Sequence, residues 1–156
     1  MKNILVKDLM TRDVITISPD TSLAEAHHLM KSYGIRRLPV VEHGELIGIV
    51  TRGDIRGAEP SQATSLSIWE INYLLAKTTV RDIMTPRPLA IQQSATVREA
   101  AKLMLDKKIS GLPVLDMAGN VIGILTESDI FRMIAQMWAP PEAEMPAARE
   151  MELVPA

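Results

Sequence analysis

The stretch Gly48–Ile55, GIVTRGDI, is followed 75 residues later by Gly123–Ile130, GILTESDI. Both share the form G-I-x-T-x-x-D-I, in which a threonine ends a β-branched run and an aspartate follows three residues later. A hydroxyl residue followed at that spacing by an acid is a frequent helix start, so one copy would mean little. Two copies in matching surroundings indicate an internal repeat.

The repetition extends beyond this motif. VKDLMT begins at Val6 and VRDIMT at Val80, 74 residues later, and LPV occurs at Leu38 and Leu112 with the same spacing. One extra residue in the turn at 116–120 then changes the spacing to 75. We therefore predict a first repeat at residues 1–57 and a second repeat at 80–138.

Each repeat has the pattern of a β-α-β-β-α unit, which predicts an α/β (α+β) fold. Capping boxes at Ser22/Glu25 and Thr96/Glu99 predict a helix with one apolar face in each repeat. Two β-branched runs separated by glycine turns then predict a hairpin. The remaining predicted elements are a short strand at 14–18 or 89–92, and a helix from about Asp54 or Asp129 that is longer in the second repeat.

The residues outside the repeats differ in composition. A linker at 58–79 contains a loop and then Ser67 with Glu70, which predicts a connecting helix over Ile68–Lys77. The tail at 139–156 is rich in Pro, Ala and Glu, so we predict that it is flexible. Alternatively, its apolar residues dock on a neighbouring subunit: Met145, Met151 and Leu153.

Bulk composition excludes several classes of function. The 156 residues carry a formal net charge of −2 and no cysteine, so we expect no disulfide, no thiolate metal site and no long-range attraction to nucleic acid or membranes. Early charges argue against a signal peptide, and no run of eighteen apolar residues occurs. His27 and His28 point about 100° apart on a helix and cannot form a metal pair. We expect a cytoplasmic protein without catalytic residues, catalytic cofactor or metal.

The doubled motif has two interpretations. Thr51 and Thr126 can cap helices in whose first turn Asp54 and Asp129 lie, which would stabilise each helix by about 1 kcal/mol. Alternatively, a helix N-terminus with free amides can bind a phosphate, while the nearby carboxylate accepts both hydroxyls of a ribose. Hydroxyl, amides and carboxylate together fit a ribose phosphate.

These residues match a known family. The sequence resembles a tandem pair of cystathionine-β-synthase (CBS) domains, often called a Bateman module, over residues 6–136. The resemblance depends on DLMT…GIRRLPVVE…GIVTRGDI and on DIMT…KISGLPVLD…GILTESDI. It implies two repeats packed with pseudo-two-fold symmetry around two clefts. Such clefts typically bind AMP, ADP, ATP or S-adenosylmethionine, with the motif aspartate on the ribose and its threonine near the phosphate.

The resemblance also implies which residues line each cleft. The main cleft is expected to combine residues of both repeats: Thr11, Val14, Thr16, Ile35, Arg36, Arg37, Pro39, Thr126, Ser128 and Asp129. The second cleft is expected to combine the equivalent positions: Thr51, Asp54, Thr85, Pro88, Ala90, Ile109, Ser110, Gly111 and Pro113.

The two clefts differ before the shared Leu-Pro. The first repeat has Arg36-Arg37 there and the second has Ser110-Gly111. Two guanidinium groups can bind a polyphosphate through bidentate hydrogen bonds, whereas Ser110-Gly111 offers one hydroxyl and one amide. Alternatively, the arginines are a solvated pair on a strand edge. We expect the main cleft to be the better nucleotide site.

Together these observations predict a non-catalytic adenine-nucleotide sensor whose ligand alters binding to an unknown protein partner. A homodimer is expected, because pairs of this family commonly stack through helices that here carry apolar residues: Leu103, Met104, Met133, Ile134 and Met137. The alternative is a structural dimerisation module without a nucleotide role. A nucleic-acid-binding protein is disfavoured, because no basic face interleaved with aromatic residues is visible.

Overall fold

The hairpin after each Leu-Pro-Val segment forms the centre of a repeat in the computed structural model, which describes residues 3–61 and 65–138. The predicted tail at 139–156 lies outside the described residues. In chain order the elements are α1 (Val6–Leu9), α2 (Leu23–Tyr33), β1 (Arg37–Glu42), β2 (Glu45–Thr51), α3 (Arg52–Ala58), α4 (Ile68–Lys77), α5 (Val80–Ile83), β3 (Thr85–Pro86), β4 (Ile91–Gln92), α6 (Val97–Lys107), β5 (Gly111–Leu115), β6 (Val121–Thr126) and α7 (Glu127–Met137).

Two three-stranded sheets contain the hairpins. One has the order β1-β2-β3 and the other β4-β5-β6. Strands β1 and β2 pair antiparallel with a bulge at Val40/Val41, and β5 and β6 pair in the same way with a bulge at Val114/Leu115. Both predicted hairpins and the α/β (α+β) class are therefore confirmed.

Helix ends follow the sequence signals. The Ser22 hydroxyl accepts a hydrogen bond from the Glu25 amide at 3.1 Å, and the Glu70 carboxylate accepts one from the Ser67 amide at 2.7 Å. The connecting helix occupies the predicted residues, and α7 has 11 residues against 7 in α3, as expected. Helices α3 and α7 begin two residues before the predicted Asp54 and Asp129, because the motif threonine is the N-cap and places the aspartate at the third helical position.

The strands predicted before the first helices are shorter than expected. Within 14–18 only Ile17 bridges Val40, and within 89–92 only Ile91–Gln92 forms a strand. These strands are short because the segment before each of them first pairs with the sheet of the other repeat. Thr11 first bridges Ile124 in the second repeat, so only the last part of this segment reaches its own sheet.

This crossing of the chain exchanges core residues between the repeats. Val6 and Met10 pack in the core of the second repeat, while Val80 packs in the core of the first. A Cβ on Gly123 would lie 2.6 Å from the Met10 sulfur and 2.8 Å from the Thr11 carbonyl oxygen, so this close approach needs glycine. Neither repeat completes its hydrophobic core alone.

Each core is a set of buried side chains beneath one hairpin. The first comprises Ile17, Leu23, Ala26, Met30, Leu38, Val40, Val50, Ile55 and Val80. The second comprises Val6, Met10, Ala100, Met104, Leu112, Val114 and Leu125. The two cores fix the hairpins, and with them the motif threonines, against each other across the pseudo-two-fold axis.

Candidate functional site

The motif threonine and aspartate form a hydrogen-bonded pair at the start of α3 and of α7. In the first repeat the Thr51 amide donates to Asp54 Oδ2 at 2.7 Å, and the Asp54 amide donates to the Thr51 hydroxyl at 3.2 Å. In the second, both the amide and the hydroxyl of Thr126 donate to Asp129 Oδ2 at 2.9 Å. Capping is therefore one role of both motifs, and it occupies only one carboxylate oxygen of each aspartate.

The environments of the two aspartates differ. Asp129 is 7% exposed, and among residues 3–61 and 65–138 it is the only buried charged residue. Its Oδ1 accepts a hydrogen bond from Arg132 Nη1 at 3.2 Å. The position equivalent to Arg132 in the first repeat is Gly57, so the half-buried Asp54 has no such partner there. A buried carboxylate needs such compensation for its desolvation.

A cleft with a volume of about 410 Å³ lies in front of the N-terminus of α7. This volume is in the range typical of small-molecule sites. Both repeats contribute to the lining: Thr11, Gly34, Ile35, Arg36, Arg37, Ser110, Ile124, Thr126, Glu127, Ser128 and Asp129. Thr11 is held there because its amide donates to the Ile124 carbonyl at 2.9 Å. This is the main cleft anticipated from the sequence.

Seven of the ten residues expected in the main cleft line it: Thr11, Ile35, Arg36, Arg37, Thr126, Ser128 and Asp129. Val14, Thr16 and Pro39 are not among the lining residues. The Pro39 side chain is fully buried, and its carbonyl accepts a hydrogen bond from the Ile17 amide at 3.0 Å. Pro39 therefore supports the sheet rather than the cleft surface.

Sequence reasoning missed four lining residues. Gly34 ends α2 with a φ of 63°, and Ile124 pairs with Thr11. Ser110, expected in the second cleft, lines the main one, where its hydroxyl accepts a hydrogen bond from Arg37. Glu127 was also overlooked. The sequence does contain a signal for it, because the two copies of the motif differ in charge at this position: Glu127 in the second repeat stands where the first has Arg52.

Arg37 connects the two repeats. Its Nη2 donates a hydrogen bond to the Ser110 hydroxyl, and its side chain lies against Gly111, where an added Cβ would be 3.1 Å from Arg37 Cδ and Nε. Burial lowers the pKa of the Arg37 guanidinium, the charge of Glu127 raises it, and the charge of Arg36 lowers it. Arg37 remains a cation at neutral pH, but one that is already engaged with the second repeat.

Some residues expected in the second cleft are brought together. Thr85 pairs with Ile49, two residues before Thr51, which places it next to the start of α3. Gly111 and Pro113 are buried in β5. The ligand-binding roles assigned to all the residues of the second cleft, including Pro88, Ala90 and Ile109, remain predictions.

Within the described part of the chain, no group of three or more His, Cys, Asp or Glu side chains is arranged to hold a metal ion. Over the same residues, no helix has the length and apolar character required to cross a membrane.

The doubled motif, the crossed N-terminal segments and the cleft between repeats agree with a comparison to known families. The family model for the CBS domain matches residues 6–61 and again residues 80–136. This chain belongs to the CBS domain family. The α/β fold with two tandem repeats is that of a CBS domain pair.

Curated relatives of this CBS pair fall into two kinds. A CBS domain-containing protein of Dictyostelium discoideum is 38% identical over 138 residues, which cover 88% of this chain and 95% of the relative. Inosine-5'-monophosphate dehydrogenase of Korarchaeum cryptofilum is 38% identical over 125 residues, which cover 80% of this chain but only 23% of that enzyme. The match to the enzyme is therefore confined to a small part of its length.

Solved structures of similar chains contain adenosine compounds. The CBS domain pair of protein MJ0100, in complex with 5'-methylthioadenosine and S-adenosyl-L-methionine, is 32% identical with a TM-score of 0.72 and covers 86% of this chain and 98% of that chain. CBSX2 in complex with AMP is also 32% identical, with a TM-score of 0.70 and the same coverage of both chains. Another structure of CBSX2, from Arabidopsis thaliana, is 31% identical with a TM-score of 0.70, and covers 90% of this chain and 100% of that chain.

Proposed function

We propose that this CBS pair is a non-catalytic regulatory module that binds an adenosine-containing ligand in the main cleft. The observation that carries the proposal is the joint placement of Thr126 and Asp129 at a helix N-terminus, facing Thr11 and Arg36 of the other repeat across the cleft. A helix N-terminus suits a phosphate, and a carboxylate suits the ribose hydroxyls. The AMP and S-adenosylmethionine complexes of similar CBS pairs support the same ligand class.

The proposed regulation follows from the composition of the cleft. Its lining comes from both repeats, so a ligand that contacts both favours one relative pose of the repeats over others. A ligand shifts such an equilibrium only through its different affinities for the poses. A partner protein that contacts both repeats would respond to that shift. We place this activity in the cytoplasm, in keeping with the cysteine-free sequence.

A structural dimerisation module is the second candidate. The observation in its favour is that Thr51/Asp54 and Thr126/Asp129 form capping hydrogen bonds with each other. On this hypothesis the motifs stabilise helices only, and the clefts need no occupant.

A thermal-shift series separates the two candidates. AMP, ADP, ATP, S-adenosylmethionine and NAD should be tested, and at about a hundred times its dissociation constant a ligand adds about 2.7 kcal/mol to the free energy of unfolding. For a chain of this size that raises the melting temperature by about 5–10 °C. The matched control is the variant with Asp54→Asn and Asp129→Asn together, which should keep at most about 1.4 kcal/mol of that stabilisation if its affinity falls ten- to a hundredfold. If no ligand shifts the parent protein at millimolar concentration, the structural module is the better description.

We also infer a homodimer, formed through an exposed apolar surface on α7. Phe131 is 64% exposed, Met137 59% and Trp138 78%. Of the residues expected at the interface from the sequence, Met137 belongs to this surface. Met104 does not, because it is only 3% exposed, and Leu103 does not, because it packs against the second core. Large exposed apolar residues on one helix are typical of an interaction surface.

Static light scattering at micromolar concentration should give twice the monomer mass for the parent protein. Phe131→Asp should shift the protein towards the monomer, because it places a charge in the interface. Met117→Asp is the control, since Met117 is 93% exposed in the β5–β6 turn. A monomeric parent protein, with and without AMP, would refute the dimer.

A further inference from the structure

The charged residues of the main cleft balance each other. Arg36 and Arg37 come from the first repeat, and Glu127 and Asp129 come from the second. The other lining residues carry no formal charge. A cleft built to bind a polyphosphate would be expected to have an excess of positive charge, because each phosphate adds at least one negative charge. The lining residues have no such excess; Arg132, which pairs with Asp129 Oδ1 at 3.2 Å, is not among them.

Arg37 is committed to contacts within the protein. It is half-buried, donates to the Ser110 hydroxyl and interacts with the charge of Glu127. Glu127 is held beside this contact because its amide donates to the Ser110 carbonyl at 3.1 Å. Turning Arg37 towards a ligand would break the hydrogen bond to Ser110 and weaken the attraction to Glu127. The exposed Arg36 is therefore the cleft arginine that can pair with a phosphate at least cost.

Glu127 opposes additional negative charge. It is exposed at the first position of α7, on the rim of the cleft and two residues from Asp129. A helix N-terminus attracts anions, but a carboxylate at the first position already satisfies part of that attraction and repels a second anion. A ligand with one phosphate can place it near Arg36. A triphosphate would bring further negative charges into reach of Glu127, and the described lining residues offer no second cation that is free to pair with them.

The first repeat provides the contrasting arrangement. Its motif reads T-R-G-D where the second repeat has T-E-S-D, so Arg52 occupies the position of Glu127. The Arg52 amide donates to the Arg36 carbonyl at 2.9 Å, just as the Glu127 amide donates to the Ser110 carbonyl. The backbone framework is thus the same in both repeats, and it accepts either charge at this position.

We propose that the main cleft selects adenosine ligands that carry no more than one phosphate, and that Glu127 sets this limit. The inference rests on the proposed binding of an adenosine ligand in this cleft. It assigns Glu127 as a residue that determines ligand specificity, and it assigns Arg37 to the connection between repeats rather than to the phosphate.

Calorimetric titration of the full chain with adenosine, AMP, ADP and ATP, without divalent cations, tests this assignment. An Asp54→Asn background in every protein weakens the second cleft, so the measured affinities report the main one. The parent should bind ATP at least tenfold more weakly than AMP. Glu127→Gln should reduce that ratio to about threefold or less, and Glu127→Arg, which copies the first repeat, should make ATP the tighter ligand. Adenosine affinity should change less than threefold in both.

Glu45→Gln is the matched control, because Glu45 is an exposed glutamate in the β1–β2 turn region and does not line the cleft. It should leave the ratio of AMP to ATP affinity unchanged. The assignment of Glu127 is overturned if the parent binds ATP as tightly as AMP, or if Glu127→Gln keeps the parental ratio. In both cases binding of AMP would leave the proposed function intact. Failure of all four ligands to bind would overturn the proposed function as well.

Discussion

Replacing Leu112 with alanine should lower the free energy of unfolding by about 2–5 kcal/mol, and the whole module should unfold in one transition. Leu112 is fully buried in β5, in a core that also contains Val6 and Met10 of the first repeat. The removed side chain leaves a cavity that rigid neighbours fill only in part. Because the N-terminal segments are exchanged, loosening this core also releases the segment that leads into the first repeat.

Chemical denaturation followed by circular dichroism measures both effects. The matched control is Met117→Ala in the same hairpin, where the side chain is 93% exposed and the change should stay within about 0.5 kcal/mol. Two separate transitions in the Leu112→Ala protein, with only the second repeat destabilised, would show that the exchanged segments do not couple the repeats. If Leu112→Ala lowers the free energy of unfolding no more than Met117→Ala does, Leu112 is not buried as described.

Features set by neighbours in the sequence were predictable. The spacing of Ser67 and Glu70 gave the start of the connecting helix, and its end at Lys77 was also correct. The glycine turns between β-branched runs gave both hairpins. Each of these signals acts over a few residues, because capping bonds and tight turns are local. The repeat itself predicts that the same elements recur in both halves of the sequence.

The exchange of the N-terminal segments was not predictable from these patterns. Val6 and Val80 begin equivalent four-residue helices, VKDL and VRDI, and no local pattern in either specifies which repeat its helix joins. That choice depends on contacts between distant residues, such as the bridge from Thr11 to Ile124. Consequently the short strand after each segment was predicted too long.

The main cleft was predicted in outline, but its electrostatics were not. Thr126 and Asp129 line one cleft together with Arg36 and Arg37, as expected, while their roles in binding remain predictions. The sequence did not show that Arg37 would be bonded to Ser110, because this contact joins residues 73 positions apart across the pseudo-two-fold axis. Two adjacent arginines therefore suggested a polyphosphate site, whereas the structure leaves Arg36 as the one that is readily available.

Replacing Asp129 with asparagine should weaken binding of AMP to the main cleft by about ten- to a hundredfold. Asp129 Oδ2 is occupied by the amide and hydroxyl of Thr126, while Oδ1 accepts a hydrogen bond from Arg132 and is the oxygen on which we place the ribose hydroxyls. Hydrogen bonds to a charged acceptor contribute about 1.5–3 kcal/mol, which corresponds to this loss of affinity. Asparagine keeps the shape of the side chain and removes its charge.

Asp54→Asn is the matched control, because Asp54 occupies the same position of the first repeat and does not line the main cleft. It should leave the affinity of that cleft unchanged, as measured by calorimetry with AMP. Both substitutions weaken a capping box, so each should also lower the stability of the unliganded protein by about 0.5–2 kcal/mol. The loss of stability should be larger for the buried Asp129, whose pairing with Arg132 has no counterpart at Gly57.

If the motifs act only as caps, both variants will melt earlier and bind AMP as the parent does. Equal losses of affinity from both would show that the main cleft is not dominant. Only a selective loss in Asp129→Asn fits a ribose acceptor on α7.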